Sequence, residues 1–246
     1  MLPDDRSWPD FDAVLFDLDG VLTPTADVHR AAWKEMFDEF LATRSEPAAS
    51  RPFEESDYLA EVDGKPRYDG VRSFLASRGI ELPEGTPSDE PGHGSVCALG
   101  NRKNALFNEV LRRDGIEPYP GSVRLLDHLA GLGIGMAVVS SSQNANDVLA
   151  AAGLADRFDV VVEGKVAARD HIAGKPAPDM FLAAADRLDA GAGRAVVVED
   201  AVSGVEAGRN GRFALVVGVD RGAGRAALEA HGADVVVDDL DELVPG

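Results

Sequence analysis

Short apolar, β-branched runs recur along this chain, and their spacing constrains the fold more than any other feature. They are "AVLFD" (13–17), "IGMAVVS" (134–140), "DVVVEG" (159–164), "RAVVVED" (194–200), "FALVVGVD" (213–220) and "ADVVVDD" (233–239). After residue 133 helix-like segments lie between them: "NANDVLAAAGL", "APDMFLAAADRL", "AVSGVEAGRN" and "RAALEAHG". Strand and helix alternating at this spacing read as βαβ units and a parallel sheet. Runs that are apolar throughout fit strands covered on both faces. The expected fold class is α/β, a Rossmann-like parallel sheet core flanked by helices.

Residues 28–115 break the pattern. "ADVHRAAWKEMFDEFLA" places Ala32, Trp33, Met36, Phe37, Phe40 and Leu41 on one helical face. "GVRSFLASRGI" and "NRKNALFNEVLRRDGI" also read as helices, and no β-branched run separates them. The polar stretches at 43–52 and 83–95 read as loops, longer than a compact insert needs. The layout expected is an α-helical cap domain, 28–115, inserted into a core made of 1–27 and 116–246.

Charge divides the same way. The insert carries 12 Lys/Arg against 16 Asp/Glu, and the rest carries 12 against 27. A formal net charge of -19 argues against nucleic acid or an anionic membrane surface as partner. An anionic small-molecule substrate would therefore need local cations, which the nearly balanced insert can supply. Cys97 is the only cysteine, so an intrachain disulfide and a multi-cysteine zinc site are both excluded. "MLPDDRSWPDFDAV" has neither the basic start nor the apolar run of a signal peptide. No segment approaches the roughly 20 apolar residues of a membrane span. The expectation is a soluble, cytoplasmic chain, monomeric or weakly homodimeric.

The chemistry-bearing residues gather at strand ends. The first run ends in Asp17 and Asp19, the second in Ser140, Ser141 and Ser142, and a later one in Glu199 and Asp200. "AGKPAPD" adds Lys175. Each feature has a plain structural reading: loop acids are common, serines cap helices, and a lysine before proline is often a surface charge. In an open parallel sheet, however, strand ends face one crevice, so these groups would converge there. Hard carboxylate oxygens without Cys or His suit Mg²⁺. An aspartate can also serve as nucleophile in phosphoryl transfer, with metal and lysine neutralising the charges that repel it from phosphate.

"DLDGVLTPT", "VVSSS", "GKPAPDMF" and "VVEDAVSG" resemble, in order, the four motifs of the haloacid dehalogenase-like (HAD) phosphotransferases. The motifs span residues 17–204, and the core-plus-cap layout fits the whole chain. The resemblance implies Asp17 as nucleophile and Mg²⁺ ligand. It makes Asp19 the general acid/base, contributing its backbone carbonyl to the metal. Ser140, Ser141 and Asn144 at the next helix start are then the phosphate-binding positions, and Lys175 bridges nucleophile and phosphate. Glu199 and Asp200 match the acidic motif that holds Mg²⁺.

Within the family, the chain resembles the β-phosphoglucomutase branch. "TADVHRAAW" supplies Thr25, His29 and Trp33, "DGKPR" supplies Arg67 where the branch binds a distal phosphate, and "NRKN" supplies Lys103 and Asn104 as substrate contacts. Pro24 departs from the branch, which has Asp there, and Asp63 stands where it has a second lysine. A mutase must hold a sugar bisphosphate in either orientation, so it needs a second anion site, and an arginine fork suits one. Cap closure would exclude water. The implied activity is interconversion of β-glucose 1-phosphate and glucose 6-phosphate through a bisphosphate. The alternatives are a small sugar-phosphate phosphatase and a silent regulatory module. The intact set Asp17, Asp19, Lys175, Glu199 and Asp200 argues against the latter.

Overall fold

The computed structural model describes residues 6–44 and 51–245. The elements begin with β1 (Ala13–Phe16) and α1 (Thr25–Leu41). A single turn, α2 (Glu55–Asp57), runs into a π-helical turn at Tyr58–Val62, followed by α3 (Arg67–Ser77), α4 (Val96–Asp114) and α5 (Pro120–Leu132). Then come β2 (Gly135–Val139), α6 (Ala145–Ala151), β3 (Val160–Val162), α7 (Gly164–Asp170) and α8 (Asp179–Arg187). The chain finishes with β4 (Ala195–Glu199), α9 (Val202–Asn210), β5 (Leu215–Val219), α10 (Arg225–His231) and β6 (Val235–Val237).

All six strands lie parallel in one sheet, in the order β3-β2-β1-β4-β5-β6. Ala13 of β1 sits opposite Gly135 and Ala195, and Phe16 opposite Val138 and Val198. Every residue of β1, β4 and β5 is buried, which explains why these runs read as apolar without alternation. Leu15, Ala137, Val139 and Val197 join Phe181 and Ala184 of α8, Val205 of α9 and Leu228 of α10 in one cluster. Strand order reverses beside β1, so the carboxyl ends of β1, β2 and β4 meet at the switch point, where such sheets bind ligands.

The residue contacts divide the chain into two compact units, Met1–Thr25 with Ile116–Gly246, and Ala26–Gly115. The second is helical. Phe37 of α1 is fully buried, its ring 5.4 Å from Trp33, 5.1 Å from Phe53 and 4.0 Å from Phe74. Arg78 and Arg51 share Asp57, at 2.7 and 3.1 Å. Of the long loop expected at 43–52, residues 45–50 lie outside the described residues.

The loop at 83–95 has no regular structure but is tied down. Val96 N donates to Pro83 O at 3.0 Å, and Asn101 Nδ2 donates to Pro87 O at 3.1 Å and Asp89 O at 2.8 Å. Ser95 caps α4 by accepting from Ala98 N, and donates to Asp89 Oδ2 at 2.6 Å.

Several helices exceed the sequence-based expectation. α3 begins at Arg67, before "GVRSFLASRGI", and α4 at Val96, before "NRKN", while α2, α5 and α7 carry no expectation at all. The opening Pro120 and Gly121 of α5 look like breakers, yet proline suits a helix's first turn because the N–H it lacks has no partner there.

Removing the Phe37 ring leaves a cavity between Phe53 and Phe74. Phe37→Ala should cost about 3–5 kcal/mol of stability in the helical unit. A Trp8→Phe background leaves Trp33 as the only tryptophan, so urea unfolding followed by its fluorescence reads that unit. A cost below about 1 kcal/mol would mean the cluster repacks.

Candidate active site

The site is built where β1 stops. Asp17 N donates to Val198 O at 2.9 Å, extending the ladder by one bond, and Asp17 itself is buried. Lys175 fills the space beside it. Its Nζ lies 2.5 Å from Asp17 Oδ1, 2.5 Å from Glu199 Oε1 and 3.0 Å from Val139 O. One ammonium with three donors thus joins the ends of β1, β4 and β2. The Phe181 ring lies 5.0 Å from Nζ. The second oxygen of Glu199 accepts from Asp200 N and Ala201 N, both at 3.0 Å.

Two glycines let the acids approach so closely. Gly20 has φ +87°, and a Cβ there would fall 1.9 Å from Asp200 Oδ2. A Cβ on Gly204 would fall 1.8 Å from Glu199 Oε1. Gly204 lies in the "VVEDAVSG" stretch, where its neighbours in sequence do not reveal its packing role.

The electrostatics are unbalanced. Burial pushes the Asp17 carboxyl up to about 8; Lys175 pulls it down, while Glu199 and Asp19 push it further up. Burial also presses on Lys175, but Asp17 and Glu199 outweigh it and hold the ammonium protonated well above its ordinary range. Lys175 is shared by two carboxylates, Asp17 and Glu199. Asp17, Glu199 and Asp200 can each present an oxygen, with all three within 4.8 Å of one another. A set of carboxylate oxygens only, with excess negative charge, fits a hard divalent cation.

Asp19 stands apart from that trio. The strand has ended, and the chain turns so that Gly20 N donates to Thr23 O at 2.8 Å. Asp19 N donates to Asp17 Oδ2 at 2.9 Å, and the Asp19 carboxylate accepts from the Thr25 hydroxyl. Thr25, expected among the substrate contacts, is wholly buried, and its hydroxyl lies 2.8 Å from that of Thr23 while bonding Asp19.

At the end of β2, Ser140 N donates to Val162 O and its hydroxyl accepts from Ser142 N at 3.1 Å. Ser141 is half-buried, and Asn144, at the start of α6, donates its backbone N–H to the Ser142 hydroxyl at 3.1 Å. This turn sits beside Asp17 because β1 and β2 are neighbours.

The remaining sequence candidates belong to the helical unit. Lys103 is 4% exposed, with its ammonium donating to His29 Nδ1 and lying 5.2 Å from both the Trp33 and Phe107 rings. His29 stacks on Phe107 at 4.0 Å. Spacing along the helices does not reveal this burial, since both residues are polar. Arg67 opens α3 half-buried, with its guanidinium 5.1 Å from the Tyr68 ring; burial lowers its pKa. Tyr68 donates to Asn101 Oδ1 at 2.9 Å. Asn104 is half-buried on α4.

A family model for haloacid dehalogenase-like hydrolases matches residues 11–212. The chain belongs to the haloacid dehalogenase-like hydrolase family. It is 54% identical over 240 residues, 94% of this chain and 91% of the other, to a protein from Mycobacterium bovis named beta-phosphoglucomutase. A Bacillus subtilis protein of the same name is 33% identical over 94% of this chain and 91% of its own. Among solved structures, beta-phosphoglucomutase from Clostridium difficile superposes with a TM-score of 0.75 at 23% identity, covering 95% of this chain and 93% of that one, a likeness of fold. Among the described residues, no helix is long and apolar enough to cross a membrane.

Two outcomes follow from the geometry. A cation must displace the proton that Asp17 holds below pH about 8. Divalent binding, followed by calorimetry in buffers of different ionisation enthalpy, should release a proton and tighten from pH 6 to 8, then level off. Affinity independent of pH across that range would refute the assignment of Asp17 as a ligand. Gly204→Ala drives a methyl into Glu199 and should cut divalent affinity at least about tenfold, the scale of disturbing groups that orient metal ligands; unchanged calorimetric affinity would mean Glu199 does not bind the cation.

Proposed function

We propose that the chain is a magnesium-dependent β-phosphoglucomutase working through an aspartyl-phosphate on Asp17. Phosphoryl transfer is supported by one observation above others, the buried Lys175 ammonium shared by Asp17 and Glu199 at the strand ends. The choice of a mutase rests on the 54% identity spanning 94% of the chain.

Asp17, Glu199 and Asp200, with the Asp19 carbonyl, would hold Mg²⁺. When bound, the cation supplies positive charge that lets a carboxylate approach a phosphate. Lys175 adds a second positive charge that cannot swing away, because its donors are all engaged. Ser140, Ser141 and the turn to Asn144 take the phosphoryl oxygens.

Phosphorylated Asp17 gives its phosphoryl group to the 6-hydroxyl of β-glucose 1-phosphate, and Asp19 takes the hydroxyl proton. After the bisphosphate turns, the bond from the C1 oxygen to phosphorus breaks as a bond to Asp17 forms. Asp19 returns the proton to the C1 oxygen, leaving glucose 6-phosphate. Arg67 takes the phosphate that is not reacting, bidentately. His29, Lys103 and Asn104 serve the sugar side, with Lys103 held by His29 and two aromatic rings.

Purified protein given β-glucose 1-phosphate, Mg²⁺ and catalytic β-glucose 1,6-bisphosphate should form glucose 6-phosphate. Asp17→Asn should lower that rate at least about a thousandfold, as loss of a nucleophile does. Free phosphate without glucose 6-phosphate would replace the mutase with a sugar-phosphate phosphatase.

A further inference from the structure

The turn that carries Asp19 is held from outside its own motif. Ser122 of α5 donates to Val21 O at 2.6 Å, and Tyr119 N donates to Leu22 O at 2.9 Å, securing its far end. At the near end, Arg221 Nε donates to Gly20 O at 3.2 Å. Arg221 follows β5 by two residues, some 200 positions away in sequence, with |i−j| = 201.

Arg221 is itself immobilised. A second nitrogen donates to Asp238 O at 2.9 Å and a third to Asp239 Oδ2 at 3.4 Å, both just after β6. Its guanidinium lies 4.1 Å from the centroid of the Tyr119 ring. Only a planar fork can stack on a ring while donating in three directions. The Gly20 α-carbon is also packed against the Asp200 carboxylate so closely that no Cβ fits. The Asp19–Gly20 segment is therefore held by Arg221 and packed against Asp200.

We propose that Arg221 is a positioning residue for proton transfer by Asp19. By fixing the Gly20 carbonyl it sets the orientation of the residue after Asp19. Thr25 fixes the Asp19 carboxylate and Asp17 accepts from its N–H, so three contacts aim the carboxyl. This rests on the reading of Asp19 as proton carrier given above.

The consequence is selective. When Asp17 takes a phosphoryl group from a sugar phosphate, the bond between phosphorus and sugar oxygen breaks and one to Asp17 forms. The proton moves from the Asp19 carboxyl to the departing oxygen. With p-nitrophenyl phosphate the bond from phosphorus to the aryl oxygen breaks and p-nitrophenolate leaves, stable enough to need no proton. Misaiming Asp19 should slow the first donor far more than the second.

Single-turnover phosphorylation of Asp17 is measured with β-glucose 1,6-bisphosphate and with p-nitrophenyl phosphate, both with Mg²⁺. In Arg221→Met the ratio of the sugar to the aryl rate should fall about tenfold, part of what a general acid contributes. Arg221→Lys, which keeps the charge and the stem, carries the test if the methionine variant does not fold. Its ratio should fall at least about threefold, since an ammonium cannot reproduce the stacked fork. A ratio unchanged in the folded variants, or both rates falling by one factor, overturns the proposal. If the wild-type protein transfers phosphate to Asp17 from neither donor, the function proposed above fails and takes this inference with it.

Discussion

One buried ammonium organises the core. Lys175 is 3% exposed and lies between two carboxylates that are themselves buried, Asp17 and Glu199. Withdrawing such ions from water costs several kcal/mol each, and removing one partner leaves the others uncompensated. The arrangement persists because every donor of the lysine is used and because Glu199 is further held by two backbone N–H groups. Three strands of a parallel sheet end within reach of that nitrogen, so the sheet order is what makes the ion cluster possible.

The cluster is stable in geometry but incomplete in charge. Asp17, Glu199 and Asp200 converge beside Lys175, and burial raises the Asp17 carboxyl to about 8. A site that must bind a proton or a cation is poised for a phosphate ester, whose charge needs the same neutralisation. The helical unit is arranged differently. Its basic residues Lys103 and Arg67 are set against aromatic rings, and Lys103 is bonded to a histidine.

Much of the fold was legible because β-branched runs and helical periodicity are local signals. The six runs became six strands, each shorter than its quotation by a residue or more. What escaped were elements whose local signals conflict with their place: α5 opens on Pro120 and Gly121, and α7 is a short helix beginning with Gly164. The site residues were legible as a set because acids and a lysine at successive strand ends are unusual. Thr25 was named from its place in "TADVHRAAW", and that local pattern does not show that the residue is buried with its hydroxyl on the Asp19 carboxylate.

The sequence by itself determined the α/β class and the helical insertion and singled out Asp17, Asp19, Lys175, Glu199 and Asp200 as candidates, since spacing and residue chemistry are written along the chain. Tertiary structure decided how they meet. Period-two alternation does not bring Asp19 beside Asp17, because β1 ends at Phe16 and a turn with Gly20 at positive φ does so instead. Nor could the chain order foretell that Arg221 would reach Gly20, or that Gly204 would make room for Glu199. Those contacts join segments far apart in sequence, and close approach between such segments exists only once the sheet has assembled.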